Sequence, residues 1–257
     1  MAMKMSTRKR PERDDKMLKE RQLKFSERTF DDSTIRTLKF MMNNGIFSSL
    51  DFPIQHGKEA AVYRATKEMD GKKEFLAVKI FKFEGPSFMK RIEYLEGDKR
   101  FPKPRGRRDM VRIFAGKEFA NLKICEQAKV HSPKPIKQRD NIVVMEFLGE
   151  GGVPSDMLKD VELDNPEEVL RSILSDMRKM HAAKIVHVDL SEFNVMFHKA
   201  KPFIIDVGQA VLAHHPSAER YLANDLTNIL KFFGKRGAGQ DFGKALAYIK
   251  GEAENFI

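Results

Sequence analysis

His187-Val188-Asp189-Leu190-Ser191-Glu192-Phe193-Asn194-Val195-Met196-Phe197 decides how the rest of the chain is read. A polar loop carries a carboxylate at Asp189 and, five residues on, an amide at Asn194; the apolar run Val195 to Phe197 follows at once. A second carboxylate, Asp206, comes twelve residues after Asn194, closing the run Phe203-Ile204-Ile205 and preceding Val207-Gly208. The pattern predicts a loop, a short strand, a turn at Lys199–Pro202, a second strand, and an acid at its end. Phosphoryl transfer uses this set of groups. One carboxylate accepts or orients the nucleophile's proton, and an amide with a second carboxylate holds Mg²⁺ against phosphates. The plainer alternative is a polar β-hairpin with stray acids.

Composition bounds the setting. The 257 residues suit one large domain or two small lobes, and 41% hydrophobic content can build a core. A net charge of +10 implies a polyanionic partner such as nucleic acid. The single cysteine, Cys125, excludes an intramolecular disulfide and favours a reducing compartment. No apolar run is long enough to span a bilayer, and the charged stretch Met1 to Arg28 has no apolar signal-peptide core. The expectation is a soluble, cytoplasmic protein with no membrane partner. Residues 1–29 carry ten Lys/Arg against five acids, which reads either as a solvated arm or as a tail that contacts nucleic acid.

Upstream of the deciding stretch the chain alternates short elements. Asp31-Asp32-Ser33 offers an N-cap to a helix with Ile35, Leu38 and Met42 at helical spacing and Gly45 as its stop. Gln55 to Ala60 is a turn, Ala61 to Thr66 a strand, Asp70-Gly71 a hairpin turn, and Phe75 to Ile80 the next strand. A lysine inside Ala77-Val78-Lys79-Ile80 needs a partner, because a buried ammonium is costly unless paired. Val111, Ala115, Leu122 and Cys125 define one helical face, and Glu118 falls on it. Either Glu118 meets Lys79, or it sits at the edge of the stripe and faces water. Between them, residues 82–108 hold nine Lys/Arg, four acids and several Gly and Pro, and read as a long flexible loop with one helical turn near Phe88–Leu95.

Downstream, Val143 to Leu148 is a buried strand ending at Gly149, and Asn165-Pro166 starts a helix. Val169, Leu170, Ile173, Leu174, Met177 and Met180 form its core face, so the methionines are packing and not a metal site. His187 reads as a packed loop histidine, not a base. His214 and His215 lack further ligand partners at metal spacing and read as structural. A helix follows with Leu222, Leu226, Ile229, Leu230 and Phe233 on its apolar side, and Asp225 within it is placed to accept backbone N–H groups of the loop around Asp189. Residues 241–250 form a last helix.

Five motifs in order then carry a resemblance: Gly57-Lys58-Glu59-Ala60, Ala77-Val78-Lys79-Ile80, Met145-Glu146-Phe147-Leu148, His187 to Asn194, and Ile205-Asp206-Val207-Gly208-Gln209. Over roughly residues 30–250 the chain resembles the RIO family of atypical serine kinases. The likeness is to the archaeal-type first branch, with its G-K-E-A nucleotide loop and no winged-helix domain. The resemblance implies an α+β, trimmed bilobal kinase fold. Its parts would be a basic extension with a short helix over 1–48, an N-lobe over 49–148 with the flexible loop near 82–108, and a C-lobe over 149–257. It implies ATP with Mg²⁺ or Mn²⁺, serine autophosphorylation with Ser87 as candidate, an ATPase cycle, and a role in maturing the small ribosomal subunit. The partner would be the pre-small-ribosomal-subunit particle, with the arm and loop in contact with its RNA. Residue by residue, it implies Asp189 as proton acceptor and Asn194 and Asp206 as metal ligands, with Asp206 open to a second role as phosphate acceptor. Lys79 would hold the phosphates with Glu118 behind it, and Lys58 and Glu59 would cover them, since the loop has only Gly57 where many kinases have three glycines. Glu146 and Leu148 would read the adenine edge through their backbone. Val207 stands where most protein kinases have Phe, and the Ala-Pro-Glu-like segment is absent. Two other readings share these motifs: a ribosome-assembly binding factor that uses ATP only as a switch, and a small-molecule kinase of the aminoglycoside or choline type.

Overall fold

A computed structural model describes residues 30–83 and 88–256. Its first half is an antiparallel sheet built on period-2 alternation. Strands β1 (Ser49–His56), β2 (Ala60–Met69), β3 (Lys72–Phe81), β4 (Pro135–Arg139) and β5 (Ile142–Glu146) lie in the order β1-β2-β3-β5-β4. Leu76, Val78 and Ile80 of β3 and Ile142 and Val144 of β5 point to one face, where helix α1 (Asp32–Asn43) packs with Leu38 and Met41. Ala77 and Phe81, with Val143 and Met145, point to the other face, where helix α2 (Arg107–Gln127) brings Val111, Phe114, Ala115 and Leu122. Lys79 shares the parity of Ala77 and Phe81, so the pleat aims it at α2.

The hairpin expected at Asp70-Gly71 forms, with both residues at positive φ (51° and 73°), as a two-residue turn between right-twisted strands requires. Helix α1 starts at the expected cap: the Asp31 carboxylate accepts from the backbone N–H of Ser33 and Thr34. Its buried face differs from the sequence reading. Thr34, Thr37, Leu38 and Met41 are inside, while Met42 is exposed and Ile35 lies at the edge. The threonines can be buried because their hydroxyls are bonded, Ser33 O and Asp140 Oδ2 sharing the one Thr37 hydroxyl proton at 3.0 Å each, and Thr34 Oγ1 accepting from Asn141 Nδ2.

The second half is mainly helical. Helices α3 (Pro166–Ala182), α4 (Ala218–Gly234) and α5 (Phe242–Lys250) pack beneath small sheets. The six apolar residues expected on α3 are all buried, joined by Asp176. Three two-residue strands come first, β6 (Gly149–Glu150), β7 (Val153–Pro154) and β8 (Asp156–Met157); β9 (Ile185–Val186) follows α3, and β12 (Val211–Leu212) pairs with it. Strand β10 (Val195–His198) pairs with β11 (Lys201–Ile204) around a turn at Lys199 and Ala200, both at positive φ. Pro202, expected in that turn, lies in β11 opposite Phe197, which an edge strand tolerates.

The basic arm 1–29 and Ser87 lie outside the described residues. The described part of the 82–108 stretch is anchored. A 3₁₀ segment, Phe88–Leu95, leads into buried Asp98, which holds Arg100 through paired bonds of 2.9 and 2.7 Å. His214 and His215 bond the carbonyls of Gly97 and Glu93 at 2.8 and 2.9 Å, so both act structurally, as expected. Cys125 is buried, and burial pushes its thiol up to about 12, which leaves it unreactive.

Candidate active site

A cleft of about 800 Å³ opens between the sheet and the helical half. Its upper wall is the β1–β2 turn, with Gly57, Lys58 and Glu59. That turn is tight: Gly57 N–H donates to Ala60 O at 2.9 Å, and Lys82 Nζ caps Gly57 O at 2.8 Å. The inner end of the cleft has apolar walls, Val62 and Ala77 from the sheet, Met145 to Leu148 from the link between halves, and Met196 from β10. Apolar walls of this kind can hold a flat ring. Arg64 secures the turn after the link. Its guanidinium lies between the Phe52 and Phe75 rings (4.3 and 4.6 Å), pairs with Asp51 at 2.8 Å, and donates to Gly152 O at 2.9 Å.

Polar groups converge at the other end. Lys79 Nζ donates to Glu118 Oε1 at 2.8 Å and to Asp206 Oδ1 at 2.9 Å, with Glu118 Oε2 in ionic contact at 2.7 Å. Glu118 is 1% exposed, which settles its place on the core stripe rather than at its edge. Burial pulls the Lys79 pKa down, but Asp206 and Glu118 outweigh that and leave it raised, so the ammonium is firmly charged. The same burial pushes the Glu118 carboxyl up, and Lys79 opposes this, so Glu118 keeps its charge only while the ammonium faces it. The Asp206 side chain is 46% exposed and opens into the cleft. Asp206 does not end the strand, as expected from sequence. It lies beyond Ile204, with φ +59°, so a left-handed turn sets its direction.

The deciding loop is held by buried polar contacts. Asp225 of α4 accepts from Val188 N–H at 2.9 Å and Leu190 N–H at 2.8 Å, the role expected for it. His187 Nε2 meets Ile205 O at 2.9 Å and its Nδ1 takes Asp189 N–H at 3.3 Å. Those partners place the imidazole proton on Nε2 and occupy both nitrogens, which removes His187 as a base. Val188 has φ +82°, an uncommon value for a β-branched residue, kept by its bond to Asp225. Asn194 Nδ2 donates to Asp189 O at 2.7 Å and Oδ2 at 3.3 Å, which leaves the amide oxygen as the atom to face a cation.

Of the residues singled out from sequence, Lys58, Glu59, Lys79, Glu118, Glu146, Leu148, Asn194 and Asp206 share one cleft. Asp189 joins through Asn194. Ser87 is outside the described residues. The sequence reading missed Met196, Phe193 and Lys159 of the cleft wall, and missed Lys117 and Asn121 of α2. A charged side chain on the buried part of α2 was the signal for Lys117. Among the described residues no group of three or more His, Cys, Asp or Glu is clustered for a metal. One amide oxygen and one carboxylate fit Mg²⁺ or Mn²⁺ instead, since such ions take few protein oxygens and complete their shell with phosphate and water.

The RIO domain model matches residues 61–245. The RIO-type serine/threonine-protein kinase Rio1 of Haloferax volcanii is 36% identical over 232 residues, covering 90% of this chain and 79% of that protein. Rio1 of Thermoplasma acidophilum is 45% identical over 190 residues, covering 74% of this chain and 98% of its own. The serine/threonine-protein kinase RIO1 of Saccharomyces cerevisiae is 35% identical over 238 residues, and this chain spans 49% of its length. Among solved structures, the Rio2 kinase of Chaetomium thermophilum in its ADP/Mg²⁺-phosphoaspartate complex superposes with a TM-score of 0.62 at 21% identity, over 83% of this chain and 65% of that one. That likeness establishes the fold, an α+β kinase-like pair of lobes. The matched domain and the identities to its members place the chain in the RIO domain family of atypical serine/threonine-protein kinases.

Proposed function

We propose that the chain transfers the γ-phosphate of ATP to serine hydroxyls, its own among them, hydrolyses ATP, and serves in maturation of the small ribosomal subunit in the cytoplasm. The observation that carries the chemistry is Lys79 held between Glu118 and Asp206, across one cleft from the Asp189–Asn194 pair. Lys79 binds and orients the phosphates, Glu118 holds Lys79 in place, and the Asp189 carboxylate takes the proton of the attacking hydroxyl. Asn194 and Asp206 would hold Mg²⁺ or Mn²⁺, which supplies charge neutralisation at the phosphate oxygens. The cleft is consistent with that use, and a fold relative's structure is described with ADP, Mg²⁺ and phosphoaspartate. The +10 charge supports an RNA-containing partner, engaged by the arm 1–29 and the 82–108 stretch. No helix among the described residues is long and apolar enough to cross a membrane.

One observation favours a second reading, ATP as a switch for assembly. After Ala210 the chain runs through β12 and a turn straight into α4, with no segment to seat a peptide. Water or the Asp206 carboxylate then becomes a fitting acceptor; a carboxylate oxygen that attacks the γ-phosphorus gives an acyl phosphate as the bond to the bridging oxygen breaks and ADP leaves. Incubation with γ-labelled ATP and rapid quenching separates the outcomes. Hydroxylamine-labile label on the Asp206 peptide, abolished by Asp206→Asn, marks the acyl phosphate. Stable label on the Ser87 peptide marks serine transfer. No label and no ATP turnover, even with pre-ribosomal particles, defeats the enzymatic reading.

A further inference from the structure

Next to Glu118 on α2 is a lysine that the phosphoryl-transfer chemistry does not use. Lys117 is completely buried, and among the described residues it forms no ion pair. Its Nζ donates to the carbonyl oxygen of Gly208 at 3.2 Å and, in a short contact, to that of Ala210. One helical turn on, Asn121 Nδ2 donates to Val207 O at 2.9 Å and Ala210 O at 3.1 Å. Its Oδ1 accepts from Arg100 Nη2 at 2.9 Å, and Arg100 is locked to Asp98. Two side chains of one helix thus hold three carbonyls of the turn that follows Asp206. The packing is close: a Cβ on Gly208 would stand 3.1 Å from Glu118 Oε2.

A buried ammonium on backbone carbonyls alone is an expensive arrangement. Burial pushes Lys117 down to about 7, Arg100 adds to that, and Asp98 and Glu118 oppose it. A core built only for stability would place an apolar side chain there. What the lysine provides is directional donors aimed at a turn whose backbone departs from ordinary geometry at Asp206.

We propose that Lys117 and Asn121 are positioning residues for the metal–nucleotide site. They clamp the Val207–Ala210 turn to α2, so that Asp206 and the Lys79–Glu118 pair keep one spacing. The proposal rests on reading the cleft as a metal–nucleotide site, and it assigns the clamp to the metal step rather than to the binding of the nucleotide base. Asp206 is the group whose direction the turn sets, whereas the apolar slot for the ring lies on β2, β3, β5 and β10.

The test is binding of a fluorescent ATP analogue to the full chain, first without divalent metal and then across a Mg²⁺ titration. Lys117→Met should raise the Mg²⁺ concentration for half-maximal effect roughly tenfold or more, the consequence of losing two hydrogen-bond donors to buried carbonyls. Metal-free binding should stay within about twofold, since the slot is untouched. Lys117→Arg, which keeps N–H donors at that position, should recover part of the loss. Asn121→Ala removes two of the bonds and should shift the Mg²⁺ dependence in the same direction if Lys117→Met does not fold. Ile249→Val in α5 serves as a control for lowered stability away from the turn. An unchanged Mg²⁺ dependence in both variants overturns the clamp. So does equal weakening with and without metal, or a shift matched by the α5 control. If the unaltered chain shows no Mg²⁺-dependent nucleotide binding, the underlying reading of the cleft fails, and the clamp with it.

Discussion

Asp225→Asn is the sharpest perturbation the fold offers, because it alters no group in contact with the cleft. The Asp225 carboxylate is buried and takes two backbone N–H groups, from Val188 and Leu190, at 2.9 and 2.8 Å. The two N–H groups meet different oxygens of the carboxylate, so an amide of the same shape sets its oxygen against one of them and its NH₂ against the other. A buried N–H without an acceptor costs about 1–3 kcal/mol, and exchanging a charged for a neutral acceptor weakens the remaining bond. Val188, at φ +82°, carries strain of about 1–3 kcal/mol that the lost bond no longer holds in place. The variant also no longer buries a charge, which offsets part of the loss, so we expect unfolding free energy above pH 6 to drop by about 1–3 kcal/mol, seen as a lower urea midpoint at constant slope. Turnover should fall by roughly 10²-fold, because the loop that relaxes is the one that aims Asp189.

The pH dependence supplies a second arm of the same experiment. Burial raises the Asp225 carboxyl to about 6; His187 and the two amides oppose the rise, and Asp189 adds to it. The folded chain therefore binds this proton more tightly than the unfolded chain, where the value is near 3.8. Its contribution to stability is fully present below 3.8 and is lost as pH rises through 6. Activity runs the other way, since protonation removes an acceptor from the loop. Wild-type turnover should show an acid limb near 6 while the stability contribution of this group grows, and Asp225→Asn should lack that limb. Unchanged turnover and midpoint in the variant, or an acid limb that survives it, would refute the reasoning.

Asp189→Ala should retain ATP binding by fluorescence titration and lose phosphoryl transfer by a factor on the order of 10² or more; undiminished autophosphorylation would remove Asp189 from its role. Lys79→Met should abolish transfer. It strands Glu118 in the core and should drive that carboxyl to its neutral form. Glu118→Gln should cost less, because Asp206 still holds Lys79 at 2.9 Å, and wild-type rates in it would dissociate the pair from catalysis. Binding of structured RNA to the full chain, measured by filter retention, should weaken steeply between low and moderate salt as counterions return to the phosphates. Binding insensitive to salt would count against the basic arm as a contact.

Much of this site was legible because burial and charge conflict openly in the sequence. Lys79 in an apolar strand and Glu118 on an apolar helix face each required a partner, and the pleat of β3 aims one at the other. Asp225 was legible for the same reason. Helix α1 was misphased because hydropathy counts a threonine as polar whether or not its hydroxyl is bonded. Thr34 and Thr37 go inside on bonds to Asn141, Ser33 and Asp140, and Asn141 and Asp140 lie too far off in sequence for spacing to show them as partners. The 82–108 stretch read as a free loop from its glycines and prolines. Its described part is tied down by Asp98, Arg100 and two histidines far off in sequence.

Lys117 shows where reading by charge stops. The rule that found Lys79 applies to it equally, since it sits on the buried part of a helix, yet among the described residues no acid forms an ion pair with it. Its partners are carbonyls, which every residue possesses and which no sequence displays as free. They need donors because of how the chain turns. After β11 ends at Ile204 the backbone passes through a left-handed Asp206 and then holds three carbonyls in the interior against α2. Buried carbonyls must be met by donors or the turn does not form. A helix cannot lend its own interior N–H groups, so side chains must supply them, and Lys and Asn can each reach two acceptors at once. The geometry that directs Asp206 into the cleft thus creates the demand that Lys117 and Asn121 satisfy, which makes the position of α2 and the direction of Asp206 a single structural variable.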